Sequence, residues 1–439
     1  MSRSTIRTRR TVTVRGAAVL AASALVLSAC GGEEDAGGAA EDDGAGTAAE
    51  GDSDAEATGQ AGERDLTLKI GTQLPQTGSL AFLGPPEEAG VMAAAQDIND
   101  ADMGITVEVT YADSGDADNK AYATTVPQLI NADVSVIVGA ASSGVSKLFI
   151  DDVVGAGILQ ISPANTSPDF TDWDDNGLYW RTAPSDVLQG EVLGNLIAED
   201  GHQAIGIIYL NDAYGTGLER FTTEAFEAAG GEVVASESFN AGDTTFDAQI
   251  SSVTAADPDA LVLIAFDETK TIVPALDAQG WEMANTYFVD GNIADYSEDF
   301  EPGTLEGAKG TLPGPALQED FQGKLNDIWT AEGNEDLNSW AYAGESYDAV
   351  ILTALAALAA NSTEGADIAA KMQEVSGGSG NGTKATTFEE AAQIIVDGGV
   401  ADYDGVSGPI TFDENGDPTE ASIGIYQYDG NNQIQRINE

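Results

Sequence analysis

From Leu66 onward short β-rich runs alternate with longer amphipathic runs, and this alternation limits the fold more than any other feature of the chain. "LTLKIGTQ", "EEAGVMAAAQDIND", "ITVEVTYAD", "NKAYATTVPQLINAD" and "VSVIVGA" follow one another, and the pattern resumes after residue 185 with "VLGNLIAED", "AIGIIYL", "GLERFTTEAFEAAG" and "EVVASESF". It continues through "FDAQISSVTAAD", "ALVLIAF", "TKTIVPALDAQG" and "TYFVDG". Strand-helix-strand units of about 25 to 30 residues predict parallel α/β sheets, and two such series predict two doubly wound lobes. "VSVIVG", "GILQIS", "IGIIYL" and "LVLIAF" are apolar almost throughout, as strands covered on both faces must be. With 439 residues, 42% of them hydrophobic, there is material for two cores. Pro127 falls inside one expected helix and should kink or shorten it.

The N-terminus is a separate object. Five arginines (Arg3, Arg7, Arg9, Arg10, Arg15) and no acid precede the apolar run 16–27, which is too short to span a bilayer. Residues 1–29 therefore read as a secretory signal segment. Cys30, the only cysteine, ends "LVLSAC" before "GG", which resembles the bacterial lipobox with Cys30 as the lipidated first residue. With Cys30 so used no disulfide forms within the fold, and several acyl chains would make a firm anchor. "TRRT" at 8–11 hints at twin-arginine export and leaves the route open. Residues 30–65 are Gly, Ala, Glu and Asp with few larger apolar side chains, the composition of a disordered acidic tether.

Asp and Glu number 74 against 17 Lys and Arg, a net charge of -57. Without a basic stripe to replace phosphate counterions, nucleic acid is excluded as a partner, and the acidity reads as a solvated surface. Catalytic signatures fail. His202 is the only histidine and sits in the connector "EDGHQA", so a His-dependent triad or a common zinc site is not built here. "DWDDNG" (172–177) and "DENGDP" (413–418) open like calcium loops but have Ala183 and Gly424 at the twelfth position, so both read as polar turns. In doubly wound sheets, ligands bind at the carboxyl ends of strands. That singles out the loops "GAASSG" (139–144), "SPANTSP" (162–168), "NDAYGTG" (211–217), "FDETK" (266–270) and "VDGN" (289–292).

The stretches "LTLKIGTQLPQTGSLAFLG", "VIVGAASSGVS", "ILQISPANTSP", "NDAYGTGLE", "FVDG" and "GVSGPITFDENGD", in this order over about 370 residues, resemble the leucine/isoleucine/valine-binding proteins. The resemblance implies the type I periplasmic-binding-protein fold, two lobes joined by three crossovers with the ligand in the cleft between them. It implies a first lobe from 66–185 and 312–424 and a second from 186–311 and 425–439. For the ligand it implies Ser143, with Ser142 beside it, and Ala164 and Thr166 around the α-carboxylate. Thr166 also faces the ammonium, where Asp290 supplies the acid. Tyr214 and Phe266 close over the ligand from the second lobe, and Phe82 or Leu83 lines the side-chain pocket. The implied function is capture of an amino acid, most simply leucine, isoleucine or valine, by a monomeric lipoprotein outside the cell membrane that delivers it to ABC transporter permease subunits. No enzyme activity, cofactor or metal is implied. Amides, urea or aromatic acids as ligands, and a sensing role without a permease, stay open.

Overall fold

The computed structural model describes residues 64–438. The expected signal segment, Cys30 and all of the expected tether but its last two residues lie outside them. The chain opens with strand β1 (Leu66–Gln73), helix α1 (Gly84–Ala101), β2 (Ile105–Thr110), α2 (Tyr122–Asn131) and β3 (Val136–Gly139). The short helices α3 (Ser143–Ser146) and α4 (Ile150–Gly155), then β4 (Leu159–Ser162) and β5 (Tyr179–Arg181), complete the first pass. All five strands run parallel, in the order β2-β1-β3-β4-β5. The interior strands β3 and β4 are buried at every position, while edge strand β2 buries Ile105 and Val107 and exposes Thr106 and Glu108. Pro127 lies within α2, which is ten residues long.

The chain then crosses to the second lobe. It builds α5 (Asp186–Glu199), β6 (Ala204–Leu210), α6 (Ala213–Ala228), β7 (Glu232–Phe239) and α7 (Asp247–Ala255). β8 (Ala260–Ile264), α8 (Thr269–Ala278), β9 (Thr286–Phe288) and β10 (Lys309–Pro313) follow. It returns to the first lobe for α9 (Glu319–Ala331), α10 (Ala343–Ala360), α11 (Gly365–Val375), β11 (Thr383–Ala385), α12 (Phe388–Val396), β12 (Ala401–Gly405) and β13 (Gly408–Pro409). A third crossing leads to β14 (Ile423–Tyr428) and β15 (Ile434–Arg436). The second sheet reads β15-β14-β10-β9-β8-β6-β7, parallel from β7 to β10 and extended by two antiparallel strands, β14 and β15.

Two details differ from the sequence expectation. The boundaries at 311/312 and 424/425 fall inside β10 and β14, because Pro313 still pairs with Ile423 and the turn comes at Gly314, which takes a φ of 95°. A small third sheet, β11-β12-β13, was not anticipated, since its strands are only two to five residues long. α10 is long and apolar enough to cross a membrane, yet 89% of it is buried inside the first lobe, packed against α1, α11 and α12.

A buried ion pair ties the last strand of the first sheet to the C-terminal turn. Arg181, wholly enclosed, donates from Nε to Asp417 Oδ1 at 2.6 Å and from Nη2 to Asp417 Oδ2 at 2.8 Å. Its Nη1 donates to the carbonyls of Asn165 (3.3 Å) and Ser167 (2.7 Å), and its backbone N–H to Gly416 O (3.1 Å). Removing one partner would strand the other charge, which costs about 3–5 kcal/mol. Asp417→Ala is therefore expected to lower the unfolding free energy in urea by about that amount, and a loss below about 1 kcal/mol would show the pair to be unimportant.

Candidate functional site

The ligand loops of the first lobe are shaped by backbone hydrogen bonds at the ends of β3 and β4. Gly139 has a φ of 121°, and a Cβ there would lie 2.1 Å from the carbonyl oxygen of Gln73, so only glycine permits the approach of β1 and β3. Beyond it, Ser142 caps α3 by accepting the Val145 N–H at 3.3 Å. Ser162 donates its hydroxyl to Ala140 O (2.7 Å) and accepts the N–H groups of Ala164 (3.2 Å) and Asn165 (2.9 Å). The Asn165 amide donates to Ala140 O (2.8 Å) and Ala141 O (2.9 Å) while accepting the Tyr179 hydroxyl (3.0 Å). The "SPANTSP" loop is thus stitched to "GAASSG" from behind.

The two adjacent serines are placed differently. Ser143 is buried and its Oγ accepts the Ser167 N–H at 3.2 Å, so its hydroxyl serves the junction between the loops. Its neighbour Ser142 lines the interlobe cavity instead. Ala164 and Thr166 are also buried, 6% and 1% exposed, and Ala164 packs in the cluster that holds Ala141 and Tyr214.

Across the cleft, Asp290 sits at the end of β9 with its carboxylate enclosed. Oδ1 accepts the Tyr214 hydroxyl (2.7 Å) and the Gln189 amide (3.0 Å), and Oδ2 accepts the Tyr342 hydroxyl (2.7 Å). Burial raises its pKa, and these donors oppose the rise. Tyr214 stacks on Phe266 with ring centroids 5.4 Å apart, which links Asp290 to the cavity wall. Tyr342 comes from the first lobe and takes a left-handed φ of 58° just before α10, so its hydroxyl bond spans the two lobes. The Asp267 N–H also bridges them, donating to Ser79 O at 3.2 Å.

The cavity between the lobes holds about 450 Å³ and is walled by Ser79, Leu80, Ser142, Leu210, Asp212 and Phe266. That volume lies within the range of small-molecule sites. Phe82 is half-buried in a separate cavity of about 130 Å³ beside Asp267 and Lys270. Ser142 and Phe266 are thus the two expected residues that share the larger cavity, while Ala164, Thr166, Tyr214 and Asp290 lie in the packed layer around it.

Sequence reading missed Asp186, Gln189 and Tyr342. Asp186 and Gln189 are three residues apart in the first turn of α5, so an acid and an amide on one face after Pro184-Ser185 was the available signal. Tyr342 had none, because only tertiary folding brings it to Asp290. Among described residues no group of His, Cys, Asp and Glu is arranged to hold a metal ion.

Asp212 caps α6, its Oδ1 accepting the Gly215 N–H at 2.8 Å, and burial pushes its pKa up to about 6. Because the folded value is raised, the stability it contributes is present below about pH 4 and lost as pH rises through about 6. Asp212→Asn keeps an acceptor for the cap and carries no charge. Thermal unfolding should find it about 1–2 kcal/mol more stable than the natural protein at pH 8 and no more stable at pH 4.

The family model for periplasmic binding proteins matches residues 67–432. The leucine-, isoleucine-, valine-, threonine- and alanine-binding protein of Pseudomonas aeruginosa is 32% identical over 191 residues, 43% of this chain and 50% of that protein. A Leu/Ile/Val-binding protein homolog of Brucella abortus is 26% identical over 368 residues, 82% of this chain and 90% of that protein. The fold is shared with the branched-chain amino acid transporter substrate-binding protein LivJ of Streptococcus pneumoniae, solved with isoleucine (TM-score 0.66, 22% identity, 84% of this chain and 100% of that one). A Rhodopseudomonas palustris solute-binding protein in complex with benzoate shares it too (TM-score 0.65, 17% identity, 85% and 96%). With a match of this extent and both lobes in place, the chain belongs to the periplasmic-binding-protein family that includes the leucine/isoleucine/valine-binding proteins.

Proposed function

We propose that this protein captures a small aliphatic amino acid, with leucine, isoleucine and valine first in line, and hands it to the permease of an ABC transporter. The observation that carries the reading is the pairing of opposites across one cleft. Backbone and hydroxyl donors at the ends of β3 and β4 suit a carboxylate, Asp290 suits an ammonium, and Leu80, Leu210 and Phe266 supply apolar wall between the lobes. The work is binding and closure, without covalent chemistry, in keeping with a family of solute-binding proteins. Ser143 with Ser142, Ala164 and Thr166 take the carboxylate end, Tyr214 and Phe266 cover the ligand, and Phe82 borders it from outside. Export through residues 1–29, lipidation at Cys30 and a tether of 30–65 would keep this monomer beside its permease at the outer face of the membrane.

A second reading, an aromatic acid as ligand, draws on the benzoate-bound relative and on the stacked Tyr214 and Phe266. It fits less well, because a ligand with a carboxylate and no amine would leave the enclosed acid Asp290 without a cation.

A thermal-shift panel of the twenty amino acids, urea, short amides and benzoates separates the readings, since a ligand that binds only the native state raises its stability. Aliphatic amino acids should give the largest shifts, and benzoate shifting the protein while leucine does not would reverse the order. Calorimetry on Asp290→Ala should show leucine binding weakened by about 2–5 kcal/mol, and unchanged affinity would remove Asp290 from the site.

A further inference from the structure

Where the lobes join at Gly314 the structure holds a second cavity, of about 390 Å³, which shares no lining residue with the 450 Å³ cavity of the cleft. Its walls come from three parts of the chain. Trp340 and Ala341 belong to the first-lobe segment ahead of α10, Pro315 and Leu317 to the crossover between β10 and α9, and Tyr426 and Arg436 to β14 and β15 of the second lobe. Ile293, Leu312 and Ile434 extend the apolar lining. The volume lies within the range of small-molecule sites.

Arg436 is the only cation among the described residues of this wall, and the fold fixes it in place. Its Nη1 donates to Gly314 O at 3.0 Å and its Nε to Asn438 O at 3.3 Å, while Nη2 makes no hydrogen bond among the described residues. The guanidinium lies 5.9 Å from the ring centroid of Tyr426, its cross-strand neighbour. A Cβ at Gly424 would lie 3.0 Å from Arg436 Nη1 and 2.6 Å from the Tyr426 ring, so a glycine there leaves the space that both groups occupy. In a chain with 74 acids and 17 Lys and Arg, a held guanidinium whose protein partners are all carbonyls still has its charge to satisfy. Asp295, the one acid of the wall, is occupied by the Ser297 N–H (2.8 Å) and the Gln433 amide (3.1 Å). Glu345 meets Gly314 on its Cβ side, and burial pushes its pKa up to about 8, which leaves it mostly uncharged at pH 7.

We propose that the hinge cavity is a second binding site, which takes a small aromatic carboxylate with its anionic end on Arg436 and its ring against Trp340 and Tyr426. The guanidinium supplies charge and direction, and the two aromatic side chains supply faces on which a ring packs. An amine at the same place would meet Arg436 as a like charge, so the site selects against the cationic end of an amino acid. The cavity also touches the cleft indirectly. Residues 338–341 lead straight into Tyr342, whose hydroxyl bonds Asp290 across the lobes. The cavity has this shape in the arrangement where that bond is made, so a ligand that fits it favours that arrangement, and the two sites strengthen each other reciprocally. The site stands whatever ligand takes the cleft, and its linkage to leucine rests on the amino-acid reading above.

Calorimetry at pH 7 on the full chain saturated with L-leucine, titrated with benzoate, phenylacetate and indole-3-acetate, tests the site. At least one of the three should bind while benzylamine does not, and Arg436→Gln should weaken that binding by about tenfold or more. Trp340→Leu keeps apolar volume and removes the ring, so it serves where Arg436→Gln does not fold, and it too should weaken binding. No binding of any of the three, or equal binding by both variants, overturns the site. Leucine should bind the carboxylate-loaded protein about fivefold or more tightly than the free protein, and an unchanged or weakened affinity overturns the linkage. If leucine does not bind, the amino-acid reading fails, and the carboxylate titrations without leucine decide the site. Binding lost in Arg436→Gln and kept in Phe266→Ala upholds the hinge cavity, and the reverse puts the carboxylate in the cleft and overturns it.

Discussion

The buried guanidinium of Arg181 holds together three parts of the chain: β5, the loop after β4 and the turn at Asp417. Two of its nitrogens grip Asp417 side by side, a geometry that a planar fork satisfies and an ammonium does not, and a third secures the carbonyls of the loop after β4. Thr171 completes the contact, donating its hydroxyl to Asp417 Oδ2 at 2.6 Å. The same interaction therefore sets the loop that carries Ala164 and Thr166 and the turn that precedes the third crossover. The "DENGDP" stretch, which opens like a calcium loop, has two of its three acids spent in this way. Asp417 serves Arg181, and Asp413 accepts the N–H groups of Asn415 (2.8 Å) and Asp417 (3.0 Å). Gly416 passes so close to β5 that a Cβ would lie 2.6 Å from Tyr179 O, which closes the turn onto the sheet.

A second constraint is the placement of buried acids. Asp186, Glu87 and Glu345 are all enclosed, and each lies in the first turn of a long helix, α5, α1 and α10 respectively. Unpaired N–H groups and the helix dipole make that the least unfavourable place for a buried carboxylate. The relief is partial, and burial still pushes Glu345 up to about 8. The large negative charge of the chain is mostly a property of its solvated surface, where it says little about the ligand. Asp186 and Asp290 are different in kind from those surface acids, because they are dry. Composition could not separate these two populations of acid.

Much of the architecture was legible because parallel α/β sheets write themselves locally. An apolar run of four to seven residues, a helix with one apolar face and a polar turn recur with a period short enough to read by eye, and β3, β4, β6 and β8 lie where the apolar runs are. The loops at their carboxyl ends followed from topology alone. The small third sheet and the antiparallel strands β14 and β15 were not legible. Strands of two or three residues carry no periodicity, and an antiparallel edge is defined by its partner rather than by its own sequence.

The sequence by itself determined the alternation of strands and helices, the loops at the carboxyl ends of the strands, and the residue types there, hydroxyls and acids among them. Tertiary structure decided which of those residues face the cavity and which hold it up. It placed Ser142 on the cavity wall and turned Ser143 to the backbone of Ser167, a distinction between adjacent serines that depends on the direction in which α3 leaves the sheet. It also brought Gln189 to Asp290 across 101 residues and Arg181 to Asp417 across 236. Periodicity is a local signal that decays within a few turns of chain. Enclosure of a carboxylate, by contrast, is the sum of everything packed around it, and only the folded lobes supply that.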